Sequence, residues 1–381
     1  MYSFTLNDVD VIGFDMDYTL IEYHVESTFQ LCFNALTDYF VNIEKFPSKV
    51  FSNIPQFLKS YFYDDDTGDF LLLDYNGGIL KAYHGAQLLN EQEILQRYPD
   101  RCISSTLLNK IVAYEIPSVL SVNSSFFIPT AAVLSNIINY LDLNEHVGSY
   151  NYSQLIQNAV KHVYGASQFA KHAGGFFDEI TDNLPKYIKR CASATIDYLK
   201  DLRIRGKIIY LMTTSHYDYT DMIMSYAIGI DWRSLFDFIL VDAAKPLIFT
   251  SDHVSRPFTK YCENSNRWEP FSGQMEKGSV YAEGNFNEFC ENLSMLLNKQ
   301  SISMVYIGDN LKADVLHPSK LGFYTIFVLD QQDTVDNTLF RRLIESYASV
   351  VVPSVEFLAY LPKDFRFHTF ASNASNRGFL N

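Results

Sequence analysis

Short apolar runs rich in β-branched residues recur along the chain, one near the N-terminus and the others after residue 206. They lie at residues 9–14, 207–212, 237–241, 304–307 and 324–329, with a short sixth run at Val350–Val352. The runs lack the strict polar and apolar alternation of a strand with one solvated face. Continuous apolar runs of this length are typical of parallel strands buried on both faces.

Segments with helical spacing separate these predicted strands. In residues 185–203, apolar or weakly polar positions recur mostly at intervals of three and four, with Pro185 at the start and Gly206 beyond the end. Residues 219–229 repeat the pattern and end at Gly229. Alternation of strand and helix from about residue 185 onward predicts an α/β fold with an open parallel sheet.

A long insertion separates the first predicted strand from the second. Asp15 and Thr213 are 198 positions apart, whereas one crossover between parallel strands needs roughly a dozen residues or a few more. We therefore predict a core formed by residues 1–26 and 183–381, with an inserted domain at 27–182. Within the insertion we expect helices at 130–141 and 153–163, a turn–strand–turn element at 64–78, and a solvated turn at the acidic residues 64–66.

The composition narrows the classes of function. The 381 residues include 44 Asp and Glu but 30 Lys and Arg, giving a formal net charge of −14. An acidic surplus of this size argues against binding to nucleic-acid polymers or anionic membrane surfaces, which need Lys and Arg patches, so we expect neither partner. We also expect no membrane span, because no apolar stretch reaches about 18 residues.

The cysteines and the N-terminal sequence indicate the cellular compartment in which we expect the protein. The five cysteines are scattered and form no C-x-x-C pair, and residues 1–15 lack the basic and apolar regions of a signal peptide. These features lead us to expect a cytoplasmic protein with reduced thiols.

Two aspartates follow the first predicted strand directly. Asp15 and Asp17 stand at its carboxyl end, which is where sites form in open α/β sheets. Two anions in this place need a compensating cation or proton. A hard divalent cation such as Mg²⁺, held by a few carboxylates and water, is the natural solution.

Further chemically active residues follow the other predicted strands. Thr213, Lys245 and Asp309 each stand at such a strand end, and Asp314 follows five residues after Asp309. A threonine hydroxyl with nearby N–H groups can bind phosphate oxygens, and a lysine can stabilise the charge of a transferring phosphoryl group. One aspartate can then attack phosphorus, while the other protonates the leaving oxygen.

The order of these motifs resembles that of the haloacid dehalogenase (HAD) superfamily. The chain presents DxDxT, then Thr-x-Ser, then Lys-Pro, then GDxxxxD. Within that superfamily, the local sequences are similar to those of the cytosolic purine 5′-nucleotidase family. They are FDMDYTLIEY at 14–23, TTSHYDYTDMIMSY at 213–226, FDFILVDAAKPLIF at 236–249 and YIGDNLKADVLHPSK at 306–320. The resemblance covers roughly residues 8–26 and 183–371, and the insertion loosely.

The resemblance implies a fold and an activity. The fold would be α/β, with a HAD-like Rossmannoid parallel-sheet core and a large inserted cap domain. The activity would be that of an Mg²⁺-dependent phosphomonoester hydrolase of 5′-nucleotidase type, which dephosphorylates a nucleoside monophosphate through an aspartyl-phosphate. The expected partner is a small phosphorylated substrate, a nucleotide, and the expected setting is nucleotide metabolism.

The resemblance also implies a role for each motif residue. Asp15 would be the nucleophile and Asp17 the general acid and base. Asp15, Asp17 and Asp309 would bind the metal, with Asp314 supporting the lysine or the metal. Phosphate binding would fall to Thr213, Thr214 and Lys245.

In the insertion, Phe126 matches an aromatic residue that stacks on the nucleobase in the family. Around it the chain departs from the family pattern: Phe127 stands where an amide side chain is expected, and Lys161 and Tyr164 stand at two substrate-contact positions. Base preference is therefore left open, as is the formation of a homo-oligomer.

Three other interpretations were weighed. A phosphoacceptor receiver domain also clusters Asp, Thr and Lys at sheet ends, but the chain length and the order Thr213, Lys245, Asp309 disfavour it. A HAD phosphatase for a non-nucleotide metabolite stays open because of the departures in the insertion. A nucleotide- or partner-binding protein with negligible turnover is a third interpretation, against which the complete set of motif residues argues.

Overall fold

The computed structural model describes residues 3–55, 57, 60–113, 119–121, 125–144, 152–250, 256–329 and 336–370. The chain forms two compact units. The first comprises Met1–Tyr23, Ile188–Asp330 and Glu345–Asn381, and the second comprises His24–Tyr187 and Gln331–Ile344. The predicted division into an insertion at 27–182 and a core at 1–26 and 183–381 stays a prediction.

Strands and helices alternate along most of the described first unit, and the described second unit contains the run of strands β3 to β6 between helices. The strands are β1 Ser3–Thr5, β2 Val11–Phe14, β3 Tyr61–Asp64, β4 Asp69–Leu73, β5 Ile79–His84, β6 Gln87–Leu88, β7 Val119–Ser121, β8 Ile208–Met212, β9 Phe238–Val241, β10 Phe258–Cys262, β11 Arg267–Pro270, β12 Ser279–Glu283, β13 Met304–Gly308, β14 Tyr324–Val328, β15 Val350–Val352 and β16 Arg366–His368. The helices are α1 Val25–Asn42, α2 Glu91–Arg97, α3 Ser105–Ala113, α4 Phe127–Leu143, α5 Ser153–Tyr164, α6 Ala166–Ala170, α7 Phe177–Asp182, α8 Leu184–Tyr187, α9 Ser193–Ile204, α10 Tyr217–Ala227, α11 Phe286–Leu297, α12 His317–Lys320, α13 Leu339–Tyr347 and α14 Val355–Ala359.

A large, mostly parallel sheet forms the centre of the first unit. Its strand order among the described residues is β11-β10-β12-β9-β8-β2-β13-β14-β15. The seven strands from β12 to β15 in this order run parallel, and β10 and β11 add an antiparallel edge. Strands β2, β8, β9 and β13 are buried along their whole length. This confirms the mixed α/β class with a parallel sheet and explains the continuous apolar runs.

Two parts of the first unit differ from the sequence-based prediction. The segment predicted as one helix over 185–203 is the short helix α8 followed by α9, because Ile188 leaves the helical conformation to pair antiparallel with Tyr23. The sequence also left out β12, which pairs in parallel with β9, and the β10–β11 hairpin beside it. The β11 residues are exposed, so this strand lacks the apolar signal of a buried one.

Three residues that pair across the central strands determine how the side chains there pack. Gly13 on β2 pairs with Tyr210 on β8 and with Tyr306 on β13. A Cβ atom at position 13 would lie 2.3 Å from Cζ of Tyr210 and 2.6 Å from Cδ2 of Tyr306. The glycine therefore leaves the space that the two tyrosine rings fill, and a larger residue would displace them.

The second unit contains an antiparallel sheet and an aromatic-rich helical layer. Its described strands have the order β6-β5-β4-β3-β7, and α1 packs against α4 and α5. The predicted helices at 130–141 and 153–163 lie within α4 and α5, and the predicted turn–strand–turn element contains β4. The solvated turn expected at residues 64–66 is wrong in part, because Asp64 and Asp65 are buried.

A buried carboxylate joins the sheet of this unit to α4 and α2. Asp69 on β4 is fully buried and accepts hydrogen bonds from Tyr98 at 2.9 Å and from Arg97 at 3.3 Å. His84 lies between two carboxylates, with Nδ1 2.8 Å from Asp69 and Nε2 2.7 Å from Asp142. The hydrogen bond to Asp69 is the main reason why the pKa of His84 is raised, against the opposing effects of burial and Arg97.

None of the helices in the described ranges combines the length and the apolar character that crossing a bilayer requires.

Replacing Tyr306 by Phe tests the row of tyrosines. The Tyr306 hydroxyl donates to the Met212 carbonyl at 3.1 Å and accepts from Lys245 Nζ at 3.3 Å. Tyr306→Phe should lower the free energy of unfolding by about 1–3 kcal/mol, because two buried polar groups lose a partner. Tyr210→Phe is the matched control, since the Tyr210 hydroxyl is buried with no hydrogen-bond partner among the described residues. If chemical denaturation showed equal losses of unfolding free energy in Tyr306→Phe and Tyr210→Phe, the two hydrogen bonds of Tyr306 would not contribute to stability.

The His84 interactions predict a pH-dependent stability. The ordinary pKa of 6.5 is raised in the folded state, so the stabilisation is complete below pH 6.5 and is lost as the pH rises through the folded-state pKa. His84→Gln should therefore cost about 1–3 kcal/mol at pH 6 and less at pH 9. The exposed His24 provides the control variant His24→Gln. A cost that does not change with pH in denaturant titrations would rule out a charged His84.

Candidate active site

The predicted site residues of the first unit gather at one edge of the parallel sheet. Asp15 follows β2, Thr213 follows β8, Lys245 lies four residues beyond β9, and Asp309 follows β13. These strands are neighbours in the order β9-β8-β2-β13 and run parallel. Their carboxyl ends therefore bring together side chains that are far apart in the sequence.

Lys245 bridges two carboxylates at the centre of this edge. Its Nζ lies 2.7 Å from Oδ1 of Asp15 and 2.7 Å from Oδ1 of Asp314, and its side chain is 3% exposed. Burial alone would lower the pKa of Lys245, but the charges and hydrogen bonds of the two aspartates outweigh burial and raise it. The lysine is thus a fixed, buried cation, as phosphate binding requires.

The loop before Lys245 has an unusual backbone conformation. Asp242 and Ala244 have φ values of 47° and 45°, and the left-handed region costs about 1–2 kcal/mol for such residues. The backbone of the neighbouring loop compensates, because Asp242 N–H donates to the Ser215 carbonyl at 3.0 Å and Ala243 N–H to the Thr213 carbonyl at 3.0 Å. These bonds fix the path of the loop that carries the lysine.

Asp314 is fully buried, although it comes from a helical turn and not from a strand end. Besides Lys245, its carboxylate accepts the N–H of Asn310 at 3.0 Å. A Cβ atom at Gly308 would lie 2.5 Å from this carboxylate, so the glycine makes room for it. The Asn310 side chain caps the turn by accepting from Lys312 N–H and Ala313 N–H. Burial is the main cause of a raised pKa at Asp314.

Three carboxylates of this edge have the arrangement of a cation site. Asp15, Asp309 and Asp314 are buried, and one oxygen of each lies within 4.8 Å of the other two. Together with Asp17 they place four carboxylates around one lysine. Carboxylate oxygens are the ligands that hard divalent cations prefer, so the donor set fits Mg²⁺.

Asp17 is held at both of its oxygens. Oδ1 accepts from the Tyr23 hydroxyl at 2.5 Å and Oδ2 from the Ser215 hydroxyl at 3.0 Å. Burial, followed by the charge of Asp15, raises the pKa of Asp17 to about 6. Tyr23 Oη lies 3.2 Å from the hydroxyl of Tyr219. A carboxyl group with a fixed orientation and a raised pKa suits proton transfer.

Four further residues contact the predicted site residues, although the sequence predicted no role for them. They are Tyr23, Ser215, Asn310 and Tyr306. Ser215 and Asn310 stand inside the motifs Thr-x-Ser and GDN, so their positions were a usable signal. Tyr23 and Tyr306 lie at the ends of the family-like stretches 14–23 and 306–320 but outside the four motifs, and an aromatic residue near a strand is usually interpreted as core packing.

The two predicted phosphate-binding threonines differ in their surroundings. Thr213 is buried, and its hydroxyl accepts from Ser215 N–H at 3.1 Å. Thr214 is exposed in the loop that leads to α10. The predicted roles of both, like those of the aspartates and the lysine, stay predictions.

Phe126, the predicted base contact, belongs to the second unit. It immediately precedes α4 and is half-buried. Its ring lies edge-on to that of Tyr164 at 6.2 Å, and Tyr164 in turn contacts the buried Phe176 at 4.9 Å. Phe126 is thus part of an aromatic group in its own unit, and base stacking by its ring stays a prediction.

The chain is similar to known proteins along most of its length. A model described as the 5′ nucleotidase family matches residues 2–334. The 5′-nucleotidase domain-containing protein 1 of Homo sapiens is 26% identical over 98% of this chain and 94% of the relative. Its counterpart of the same name in Bos taurus is 24% identical over the same shares. The 5′-nucleotidase domain-containing protein 2 of Homo sapiens is 28% identical over 82% of this chain and 58% of the relative.

These matches confirm the resemblance to the 5′-nucleotidase family that the local sequences around the motifs predicted, and they support the predicted class of phosphoric monoester hydrolases. The C-terminal residues 350–375 indicate, by their sequence, a likeness to 5′-nucleotidase domain-containing protein 1 in particular, and that relative matches along nearly its whole length. With a family model that spans most of the sequence, the chain belongs to the 5′ nucleotidase family.

Proposed function

We propose that this protein is an Mg²⁺-dependent phosphomonoesterase of 5′-nucleotidase type, with a HAD-like core and the second unit as its cap. The observation that carries the proposal is the buried Lys245 between Asp15 and Asp314. A lysine that is 3% exposed and faces a strand-end carboxylate supports phosphoryl transfer, since it can neutralise charge on a phosphate beside a nucleophile.

Asp15 would act as the nucleophile. One of its carboxylate oxygens attacks phosphorus, and the bond between phosphorus and the ester oxygen breaks as the aspartyl-phosphate forms. Asp17 gives its proton to the leaving ribose oxygen. Asp17 then takes a proton from water, which attacks the aspartyl-phosphate, releases inorganic phosphate and restores Asp15. The two hydroxyls on Asp17 support this role because they fix the direction of its carboxyl group.

Asp15 and Asp309, with the main chain of Asp17, would bind Mg²⁺, and Asp314 would support Lys245. When bound, the ion supplies charge that neutralises phosphate oxygens. Four carboxylates and one lysine leave a charge of −3 when all the acids are ionised, which repels a phosphate dianion. A divalent cation reduces this to −1, so appreciable substrate binding should depend on metal.

The proposed substrate is a nucleoside monophosphate, which the names of the relatives support. A non-nucleotide phosphometabolite is the second candidate. The observation that favours it is the set of departures in the second unit, where Phe127, Lys161 and Tyr164 replace the expected residues. A panel of nucleoside monophosphates and sugar phosphates separates the two.

Removal of the nucleophile is the direct test. Purified protein with Mg²⁺ should release phosphate from at least one nucleoside monophosphate, and Asp15→Asn should reduce kcat by about 10³-fold or more. A chelator should abolish the wild-type activity, and added Mg²⁺ should restore it. The exposed acid Asp8 gives the control Asp8→Asn, with activity unchanged. Wild-type activity in Asp15→Asn would refute the nucleophile, and turnover of sugar phosphates alone would refute the nucleotide substrate.

The hydroxyls on Asp17 predict a dependence on the leaving group. Tyr23→Phe and Ser215→Ala should lower kcat about 10–100-fold for a nucleoside monophosphate, within the usual range for general acid catalysis. The loss should be smaller for p-nitrophenyl phosphate, whose leaving group needs no proton. Ser215→Thr keeps a hydroxyl and should recover part of the rate. Equal losses for both substrates would show that the hydroxyls do not act through proton transfer.

A further inference from the structure

A second group of acidic side chains lies in the second unit, at the turn between β3 and β4. We call Asp64, Asp65 and Asp66 the acidic turn. One carboxylate oxygen from each lies within 4.8 Å of the other two. Asp64 is 7% exposed and Asp65 is 3% exposed, while Asp66 is exposed. Two adjacent carboxylates are therefore withdrawn from water, which is unusual for an acidic surface turn.

The burial of Asp65 is offset only in part, by a hydrogen bond from its own backbone N–H. Its Oδ1 is inaccessible to solvent and has no hydrogen-bond partner among the described residues. A buried carboxylate oxygen without a donor costs several kcal/mol unless a cation or a proton neutralises it. Burial, followed by the charges of Asp66 and Asp64, raises the pKa of Asp65 to about 6.

The basic side chains near this part of the unit form ion pairs with a different carboxylate. His84 at the end of β5 and Arg97 at the end of α2 both contact Asp69, which pairs with Asp64 across β3 and β4. Within the described ranges, no Lys, Arg or His side chain forms an ion pair with a residue of the acidic turn. The turn thus carries up to three negative charges and one buried oxygen without a donor, while His84 and Arg97 pair with Asp69.

We propose that the acidic turn binds a divalent cation with oxygen preference, such as Ca²⁺, through Asp64, Asp65 and Asp66. Converging carboxylates with the remaining positions filled by water are the donor set that Ca²⁺ accepts, because its coordination number and geometry are flexible. This site shares no residue with the Asp15 edge and belongs to the other compact unit. It is therefore independent of the proposed phosphatase activity.

Binding stoichiometry tests the proposal. Equilibrium dialysis with Ca²⁺ alone is done on the full chain carrying Asp309→Asn, which weakens the first site. Adding Asp65→Asn should remove one equivalent of bound Ca²⁺ per chain, because amide oxygen replaces a charged ligand at the buried position. The matched control is Asp100→Asn, an exposed aspartate of the same unit, which should leave the stoichiometry unchanged.

A second variant covers the case in which Asp65→Asn does not fold. Asp66→Asn alters the exposed member and should raise the Kd for Ca²⁺ at least tenfold with an unchanged circular dichroism spectrum. Ca²⁺ should also raise the Tm of the Asp309→Asn protein but not that of its Asp66→Asn derivative. Unchanged Ca²⁺ binding in the Asp65 and Asp66 variants would overturn the proposal. So would the absence of bound Ca²⁺ in the background protein at pH 7.5, which would leave protonation as the means of neutralising Asp65.

Discussion

Lys245 lies between Asp15 and Asp314, 2.7 Å from each, and the edge of the parallel sheet depends on this ion pair. Without the lysine, the carboxylate of Asp15 at the end of β2 and that of Asp314 in the helical turn after β13 would both be buried with no cation between them, and removing one partner of such a group is strongly destabilising. Much of the nearby structure serves the same contact. Gly308 leaves room for Asp314, and the left-handed Asp242 and Ala244 give the lysine loop its path.

The acidic excess of the chain takes two different forms inside the fold. Around Lys245 the protein supplies its own cation, and the surplus carboxylates suit a metal that would work together with a phosphate. In the acidic turn of the second unit, Asp65 is buried and its contacts include no protein cation within the described residues. The free-energy cost of burying an aspartate therefore differs between the two places, because only one of them has a protein cation close enough to offset it.

The predictability of the fold followed the strength of the local signal. The strands buried on both faces were predicted to within two residues at each end, because an apolar run needs no partner to be recognised. The exposed hairpin strand β11 and the adjoining β12 were left out. The break between α8 and α9 was also missed, because the pairing of Ile188 with Tyr23 joins residues 165 positions apart. Local periodicity carries no information about such a contact.

The sequence by itself determined which residues stand at the strand ends, and with them the four motifs and the family, because those signals are local and ordered along the chain. The tertiary structure decided what each residue faces. It directed the Tyr23 and Ser215 hydroxyls to opposite oxygens of Asp17, brought Tyr306 against Lys245, and buried Asp65 in a turn that composition describes as solvated. Hydrogen bonds and burial depend on distance in space, and that distance is set only when the strands pack.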